Sequence, residues 1–387
     1  MNIQAGKINR NGLRRAGDWI AGFVRRNTVF VIALTLAAVT SCIIPPDAQY
    51  MDYFDFKTLS CLFCTLAVVD ALRNIRFFSI LAQKIVTAAG KLRTAVIALV
   101  CITFIGSMLI ANDMALLTFL PLGYFVLSST DKNEYMAFTF IMQNIAANLG
   151  GMLTPFGNPQ NLYLYSGFSI PTGEFMKTML LPFTVAIAGI IICCIIFVPD
   201  TEITLHERAE KPLPKKRTAI YLVLFALAIM IVFRFLPYQA GLVVITLALL
   251  FLDRKAIADV DWALLGTFFC FFIFAGNMSR IGAVNRLFSA LLEKNTMIFS
   301  ALSCQFISNV PSAILLSRFT EDWKGLLLGV NIGGTGTLIA SLASLITFRE
   351  YTNRNPGQAK QYIIRFSAFN FAFLIVLLAV CSIAQIA

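Results

Sequence analysis

The sequence predicts an all-α polytopic membrane protein made of two inverted-topology repeats, each with a re-entrant helical hairpin and a broken transmembrane helix. Three observations predict it. The 387 residues are 58% hydrophobic and 13% charged, with a mean hydropathy of +0.78, whereas a soluble domain carries about 25% charged residues. Apolar runs of bilayer-crossing length recur along the chain. Two stretches whose numbering differs by 183 (331 against 148) repeat each other's helix-breaking residues.

This composition excludes a soluble enzyme, a nucleic-acid binder and a disulfide-stapled secreted domain. The net charge of +11 is assigned to loops facing an anionic membrane surface, so no nucleic-acid partner is expected. The nine Cys lie in apolar runs and read as buried thiols. Cys61 and Cys64 have redox spacing, but inside a lipid-length span. The single His, His206, sits in a charged linker, which removes His-based metal sites and zinc peptidase chemistry. No Gly-x-Gly-Asp motif of an intramembrane aspartyl protease occurs. The chain is therefore read as no enzyme, with no cofactor beyond sodium ions.

Residues 1–27 carry six Lys and Arg and form a basic cytoplasmic or interfacial segment. Val39-Thr40-Ser41-Cys42 has the look of a lipoprotein cleavage box. A counterpart of this span recurs later, so it is read as a retained first helix. Crossings are expected near 28–44, 56–72, 135–165, 179–198, 218–235, 240–252, 261–276, 325–348 and 362–385. Thr94–Ser128 holds one charge, Asp113. As one helix it would be about 52 Å long, against a ~30 Å bilayer core. Two half-length helices meeting at mid-membrane are expected, with Ala111-Asn112-Asp113 at the tip. Length alone makes Asn295–Ser317 a single span, but loop charge decides otherwise. With the N-terminus in the cytoplasm, 23 of the 31 Lys and Arg fall inside. A full crossing at 295–317 lowers that to 21, so a second re-entrant hairpin is preferred. This topology leaves the C-terminus outside a plasma (inner) membrane.

The repeat supports the same map. Asn148-Leu-Gly-Gly-Met-Leu-Thr and Asn331-Ile-Gly-Gly-Thr-Gly-Thr align, as do Ile110-Ala-Asn112 and Ile307-Ser-Asn309. Asp55-Phe56 and Asp261-Trp262 each open a helix that leads into a basic stretch, Arg73–Lys91 and Arg280–Lys294. The organisation read from this is 28–198 as the first repeat, 199–217 as a cytoplasmic linker, 218–239 as an extra helix and 240–387 as the second repeat. Inverted repeats with broken helices are the signature of secondary transporters, whose sites lie at the repeat interface.

Broken helices expose backbone dipoles that bind ions. Gly150, Gly151, Pro155, Gly157 and Pro159 concentrate breakers in one span, and Gly333, Gly334 and Gly336 do so in the other. Glycine for close helix packing is the plainer reading. It does not account for Asn148, Thr154, Asn158, Gln160 and Asn161 clustering there. Asp113 stands deep in an apolar run, as a proton carrier or cation-site neighbour. Asp70 is expected to face Arg73 or Arg76. No Lys or Arg lies near either tip in sequence, and Asn370 stands outside the motifs.

The order Asn112-Asp-Met-Ala-Leu-Leu-Thr-Phe-Leu-Pro121, then Asn148 to Asn161, then Ser308-Asn-Val-Pro-Ser312 resembles the ion transporter superfamily. Its nearest branch is the citrate-transporter-like anion permeases, relatives of divalent anion/sodium symporters and arsenite permeases. The resemblance covers roughly residues 28–385. It implies a substrate site from Asn112, Asp113, Asn158, Pro159, Ser308, Asn309, Val310 and Ser341. It implies cation binding by Asn112, Asp113 and Asn309, with carbonyls from Gly157 and Ala340. It also implies a homodimer and an elevator motion. The two Thr of the dicarboxylate pattern are absent here, and the second break lacks its Pro. The expected function is secondary transport of a small anion, a carboxylate or oxyanion, coupled to sodium or to protons through Asp113. The alternatives are a sodium/proton antiporter and, further off, a channel.

Overall fold

The computed structural model describes residues 22, 24, 27–204 and 212–386. The basic segment expected over 1–27 thus lies outside the described residues apart from positions 22, 24 and 27. So do 205–211 of the linker, His206 included. Among the described residues the regular structure is helical, apart from one isolated bridge between Lys91 and Glu202.

Helices α1 (Thr28–Ile43) and α2 (Phe56–Asn74) follow the first two predicted spans. Asp55 caps α2 by accepting the Thr58 N–H at 2.9 Å. The basic stretch after it forms α3 (Phe77–Thr87), which bends 61° away from α2. Then come α4 (Leu92–Ile110) and α5 (Asn112–Ser129), the first predicted hairpin. The predicted broken span becomes α6 (Met136–Gly150) and α7 (Pro159–Gly167), and α8 (Thr172–Phe197) begins earlier than the expected residue 179. The chain continues with α9 (Lys215–Val232), α10 (Tyr238–Leu252), α11 (Arg254–Asp259), α12 (Trp262–Arg280) and α13 (Gly282–Lys294). It closes with α14 (Thr296–Ile307), α15 (Asn309–Leu316), α16 (Trp323–Ile332), α17 (Leu342–Arg354) and α18 (Ala359–Ile386). Among these, α4, α8, α12 and α18 are each long and apolar enough to cross a bilayer unaided. Their outer faces expose side chains such as Ile105, Ile196, Phe269 and Ile375. Such an apolar surface belongs against lipid, and the chain is a multi-pass membrane protein.

The first hairpin corrects one expectation. Its arms are not half-length: α4 has 19 residues and α5 has 18, roughly 28 Å and 27 Å of helix. The sequence reasoning reserved residues for a loop, and the chain needs only one. Ala111 turns it alone, at φ 64° and ψ 155°. A non-glycine residue at positive φ is strained. The second hairpin repeats that turn with Ser308, at φ 71° and ψ 160°, between shorter arms of 12 and 8 residues.

Each hairpin packs its first arm along the helix that breaks: α4 along α6, and α14 along α16. Two aligned glycines allow this. A Cβ on Gly150 would overlap the Phe104 carbonyl oxygen, and one on Gly333 would lie 2.7 Å from Ala301 Cα. For these two positions the packing reading of the glycines is the right one. Around this core, α1 packs on α12, and α2 packs against α9 and α10.

Candidate functional site

Both broken spans uncoil where the sequence placed their breakers. In the first, Thr154 is extended and Asn158 (φ −137°, ψ 144°) starts α7. In the second, Ser341 (φ −148°, ψ 151°) starts α17. These residues align in the repeat, and their backbones agree within about 11°, from the two φ values.

The tips dock onto these breaks. Asn112 donates from Nδ2 to Asn148 Oδ1 at 3.3 Å, and its own Oδ1 accepts the Asp113 N–H at 2.9 Å. Asn309 Oδ1 accepts the Val310 N–H at the same 2.9 Å, and its backbone N–H donates to the Ala340 carbonyl at 3.0 Å. Ser308 Oγ donates to that carbonyl at 3.4 Å. The second tip comes close to the first broken span at Gly334: a Cβ there would lie 3.1 Å from Asn309 Nδ2 and 3.8 Å from Asn148 Oδ1, the acceptor of Asn112. A buried amide cluster joins the two breaks. Asn158 Nδ2 reaches Asn331 Oδ1 at 3.4 Å, and Asn331 Nδ2 donates to Asn161 Oδ1 at 2.6 Å.

Four helices, α5, α7, α15 and α17, thus begin here, and four others, α4, α6, α14 and α16, end here. Helix N-termini present N–H groups and partial positive charge to an anion, and C-termini present carbonyls to a cation. The polar groups gathered at these ends are amides and hydroxyls, such as Asn112, Asn148, Ser308 and Asn309. Among the described residues no group of three His, Cys, Asp or Glu could hold a metal.

The structure therefore brings together Asn112, Asp113, Asn158, Pro159, Ser308, Asn309, Val310, Gly157, Ala340 and Ser341 around one pair of breaks. Asp113 Oδ1 is buried with no hydrogen-bond partner among the described residues. In this arrangement the Ala340 carbonyl is occupied by Asn309 and Ser308. Asp70 is buried and ion-paired with Arg73 at 2.7 Å, as the sequence led one to expect. Arg73 corrects another reading. Its Nη1 lies 3.1 Å from Met114 Sδ, so a cation does reach the first turn of α5, brought from 41 residues away.

Asn370 is another correction. It is fully buried, and its Oδ1 accepts from Asn144 Nδ2 at 3.4 Å. Asn144 also donates to Ser344, 3.4 Å away, and Ser344 bonds Ser341 at 2.9 Å. Asn370 is thus tied to the second break. Gln305 was missed altogether. Its amide donates to the Gly333 and Thr335 carbonyls at 2.9 and 3.1 Å and accepts the Thr337 N–H at 2.8 Å. A lone Gln inside an apolar run was the available signal.

A vestibule of about 560 Å³ opens at the other ends of α7 and α15, lined by Tyr163, Ser317 and Arg318 among others. Tyr163 Oη and Ser317 Oγ meet at 2.8 Å on its wall.

The sequence profile of the citrate transporter family matches residues 17–321. That match takes in both hairpin tips and the first break. An uncharacterized transporter of Methanocaldococcus jannaschii is 33% identical over 297 residues, 76% of this chain and 81% of that one. The inner membrane protein YbiR of Escherichia coli is 28% identical over 309 residues, covering 78% and 81%.

Proposed function

Because the chain belongs to the citrate transporter family, we propose that it is a secondary active transporter carrying a small anion, a carboxylate or oxyanion, coupled to sodium or protons by alternating access. The observation that carries this reading is the meeting of two tips of matching backbone at two breaks of matching backbone, inside one buried amide cluster. Matching local geometry at Ala111 and Ser308, and at Asn158 and Ser341, supports two repeats. The charge distribution supports opposite orientation, an N-terminus in the cytoplasm, a C-terminus outside and a plasma (inner) membrane. In this reading Asn112 and Asn309 bind both substrate and cation. Asn158, Pro159, Ser308, Val310 and Ser341 face the anion, and Gly157 and Ala340 offer carbonyls once the tips shift. A homodimer supplies the fixed frame for an elevator motion.

The test is uptake by reconstituted vesicles, with labelled citrate and a panel of carboxylates and oxyanions, under sodium or pH gradients. Asn112→Ala and Asn309→Ala each remove an acceptor and a donor at a charged guest. Losing one such bond costs about 1.5–3 kcal/mol, roughly ten- to hundred-fold in affinity. The exposed Asn285 is the control, replacing Asn370. Equal uptake by Asn112→Ala, Asn309→Ala and Asn285→Ala at equal expression sinks the site. Cysteine labelling on a thiol-free background tests topology: Asp131→Cys should react from inside and Glu321→Cys from outside.

A sodium/proton antiporter is the second reading, favoured by the unpartnered Asp113 carboxylate beside Asn112. Collapse of a proton gradient by sodium alone, without organic anion, would select it. Asp113→Asn should abolish the pH dependence of transport if protons couple there.

A further inference from the structure

The vestibule at the far ends of α7 and α15 takes no part in the central site. α7 has 9 residues and starts at the first break, and α15 has 8 and starts at the second tip. The vestibule therefore lies about 12–14 Å along these helices from the breaks. Ser317 Oγ donates to the Ile314 carbonyl at 3.0 Å, so Tyr163 Oη is the donor in its 2.8 Å bond to Ser317. That bond closes the wall between the two helices. The helix C-termini here are capped. The Phe168, Ser169 and Ile170 N–H groups close α7, and those of Ser317, Arg318 and Phe319 close α15.

The unmatched groups in this vestibule are cationic. Arg318 donates from Nη2 to the Tyr53 carbonyl at 2.8 Å, while its Nε is buried with no acceptor among the described residues. Lys57, in the first turn of α2, lines the same vestibule. Both residues are half-buried, and neither forms an ion pair among the described residues. Other cations at this end of the molecule are matched. Arg280 pairs with Asp47 at 2.7 Å, Lys324 approaches Glu174 at 3.9 Å, and Arg234 stacks 4.2 Å from the Tyr165 ring centre. The vestibule's own carboxylates are committed or wet. Asp55 accepts the Thr58 N–H at 2.9 Å and the Thr58 hydroxyl, as the cap of α2. Asp52 and Glu321 are exposed, where water and salt screen them. A cation withdrawn from water without a counter-charge is costly. We propose that the vestibule is a second anion-binding site, in which Arg318 and Lys57 hold a small carboxylate or oxyanion.

A guanidinium grips carboxylates and oxyanions through parallel N–H bonds, and an ammonium adds a point charge on a flexible stem. The volume of about 560 Å³ admits such an anion with part of its water shell, which suits capture from solution. Lys57 belongs to α2 and Arg318 to the end of the second hairpin, so a bound anion also ties that hairpin to α2. The site deepens the anion-transport reading and rests on it for the class of guest. It adds a first stop before the breaks, built on charge where the central site is built on amides.

The test places one thiol in the vestibule, Ser169→Cys, on a thiol-free background of the full chain in detergent at low salt. Methanethiosulfonate reagents carrying a sulfonate or a trimethylammonium group label it, each rate divided by that of mercaptoethanol. The sulfonate reagent should be preferred, and Arg318→Gln or Lys57→Gln should each cut that preference about three- to tenfold. Citrate or inorganic phosphate, against chloride at equal ionic strength, should slow labelling with Arg318 in place and not in Arg318→Gln. Arg318→Lys keeps the charge and should keep the preference. Lys57→Gln carries the test if Arg318→Gln does not fold. A preference for the cationic reagent overturns the proposal. So does a preference unchanged in both neutral variants, or labelling that neither anion slows. Labelling needs no transport, so a wild type that takes up no anion in vesicles sinks the transport reading and leaves this result standing.

Discussion

The two breaks solve one backbone problem with different neighbours. Both uncoil two aligned helices and both receive a positive-φ tip. In the first, the freed carbonyls of Gly151, Met152 and Thr154 are satisfied from within the same span, by Asn161 and, at Thr154, also by the Gly157 N–H at 3.2 Å. In the second, the freed groups of Gly333, Thr335 and Thr337 are satisfied from the hairpin, by Gln305 on α14. The tips differ accordingly. The second is held by a backbone bond, Asn309 N–H to the Ala340 carbonyl. The first is held through side chains, Asn112 to Asn148 at 3.3 Å and Thr154 Oγ1 to the Met108 carbonyl at 2.9 Å. Buried polar groups must be paired, and the choice of partner decides what moves together. The second hairpin is tied to its break through Gln305 and a backbone bond, and the first through side chains, Gln143 on α6 adding bonds to Thr103 Oγ1 and the Phe119 carbonyl, both at 3.1 Å.

Gln305→Leu should have the largest effect. It orphans two carbonyls and one N–H, each costing about 1–3 kcal/mol, so roughly 3–9 kcal/mol by detergent melting. Hydrogen exchange should also quicken at the second tip, around 308–310. Asn161→Leu should cost similarly but leave exchange at 111–113 nearly unchanged. Equal loosening of both tips in both variants would break the comparison.

Gly334→Ala comes next. Its Cβ would crowd Asn309 Nδ2 at 3.1 Å and the Asn331 carbonyl oxygen at 3.3 Å, where the second tip faces the breaks. Uptake should fall about tenfold, roughly 1.4 kcal/mol, with melting little changed. A variant that transports normally would show that the second tip does not need this gap.

A smaller loss is expected from Asn370→Ala. Asn144 loses one acceptor but keeps Ser344, so the stability cost should be about 1 kcal/mol, read by melting. A larger cost would mean that α18 is anchored to the second break mainly through this amide.

The smallest effect belongs to the root of the first hairpin. The Lys91 ammonium beside Asp200, at 2.7 Å, holds that carboxyl below its ordinary value of 3.8. A depressed folded pKa gives stability above the unfolded pKa, lost as pH falls through the folded one. Asp200→Asn should therefore melt slightly earlier at pH 7 and match the wild type only in acid below the folded value, itself under 3.8. A gap that persists in acid would assign the effect to packing instead of charge.

The helices, breaks and tips were legible because each leaves a local mark. Apolar length marks a span, Gly and Pro mark a break, and an Asn flanked by apolar residues marks a tip. Asn148 and Asn331 could have been added from their coincidence in the repeat. Arg73 beside Met114, Asn370 beside Asn144 and Gln305 on the second break could not, since each is a contact between distant segments.

The sequence by itself determined the membrane-spanning class, the order of the elements and the place of both tips, because hydropathy and chain stiffness act over a few residues. Only the tertiary structure decided that one residue suffices to turn each hairpin. It alone fixed which way every amide in the cluster points. An Asn offers both donor and acceptor. Its orientation is set by partners as far away as Asn161 is from Asn331, so only the folded chain reveals whether a position presents hydrogen or oxygen to its guest.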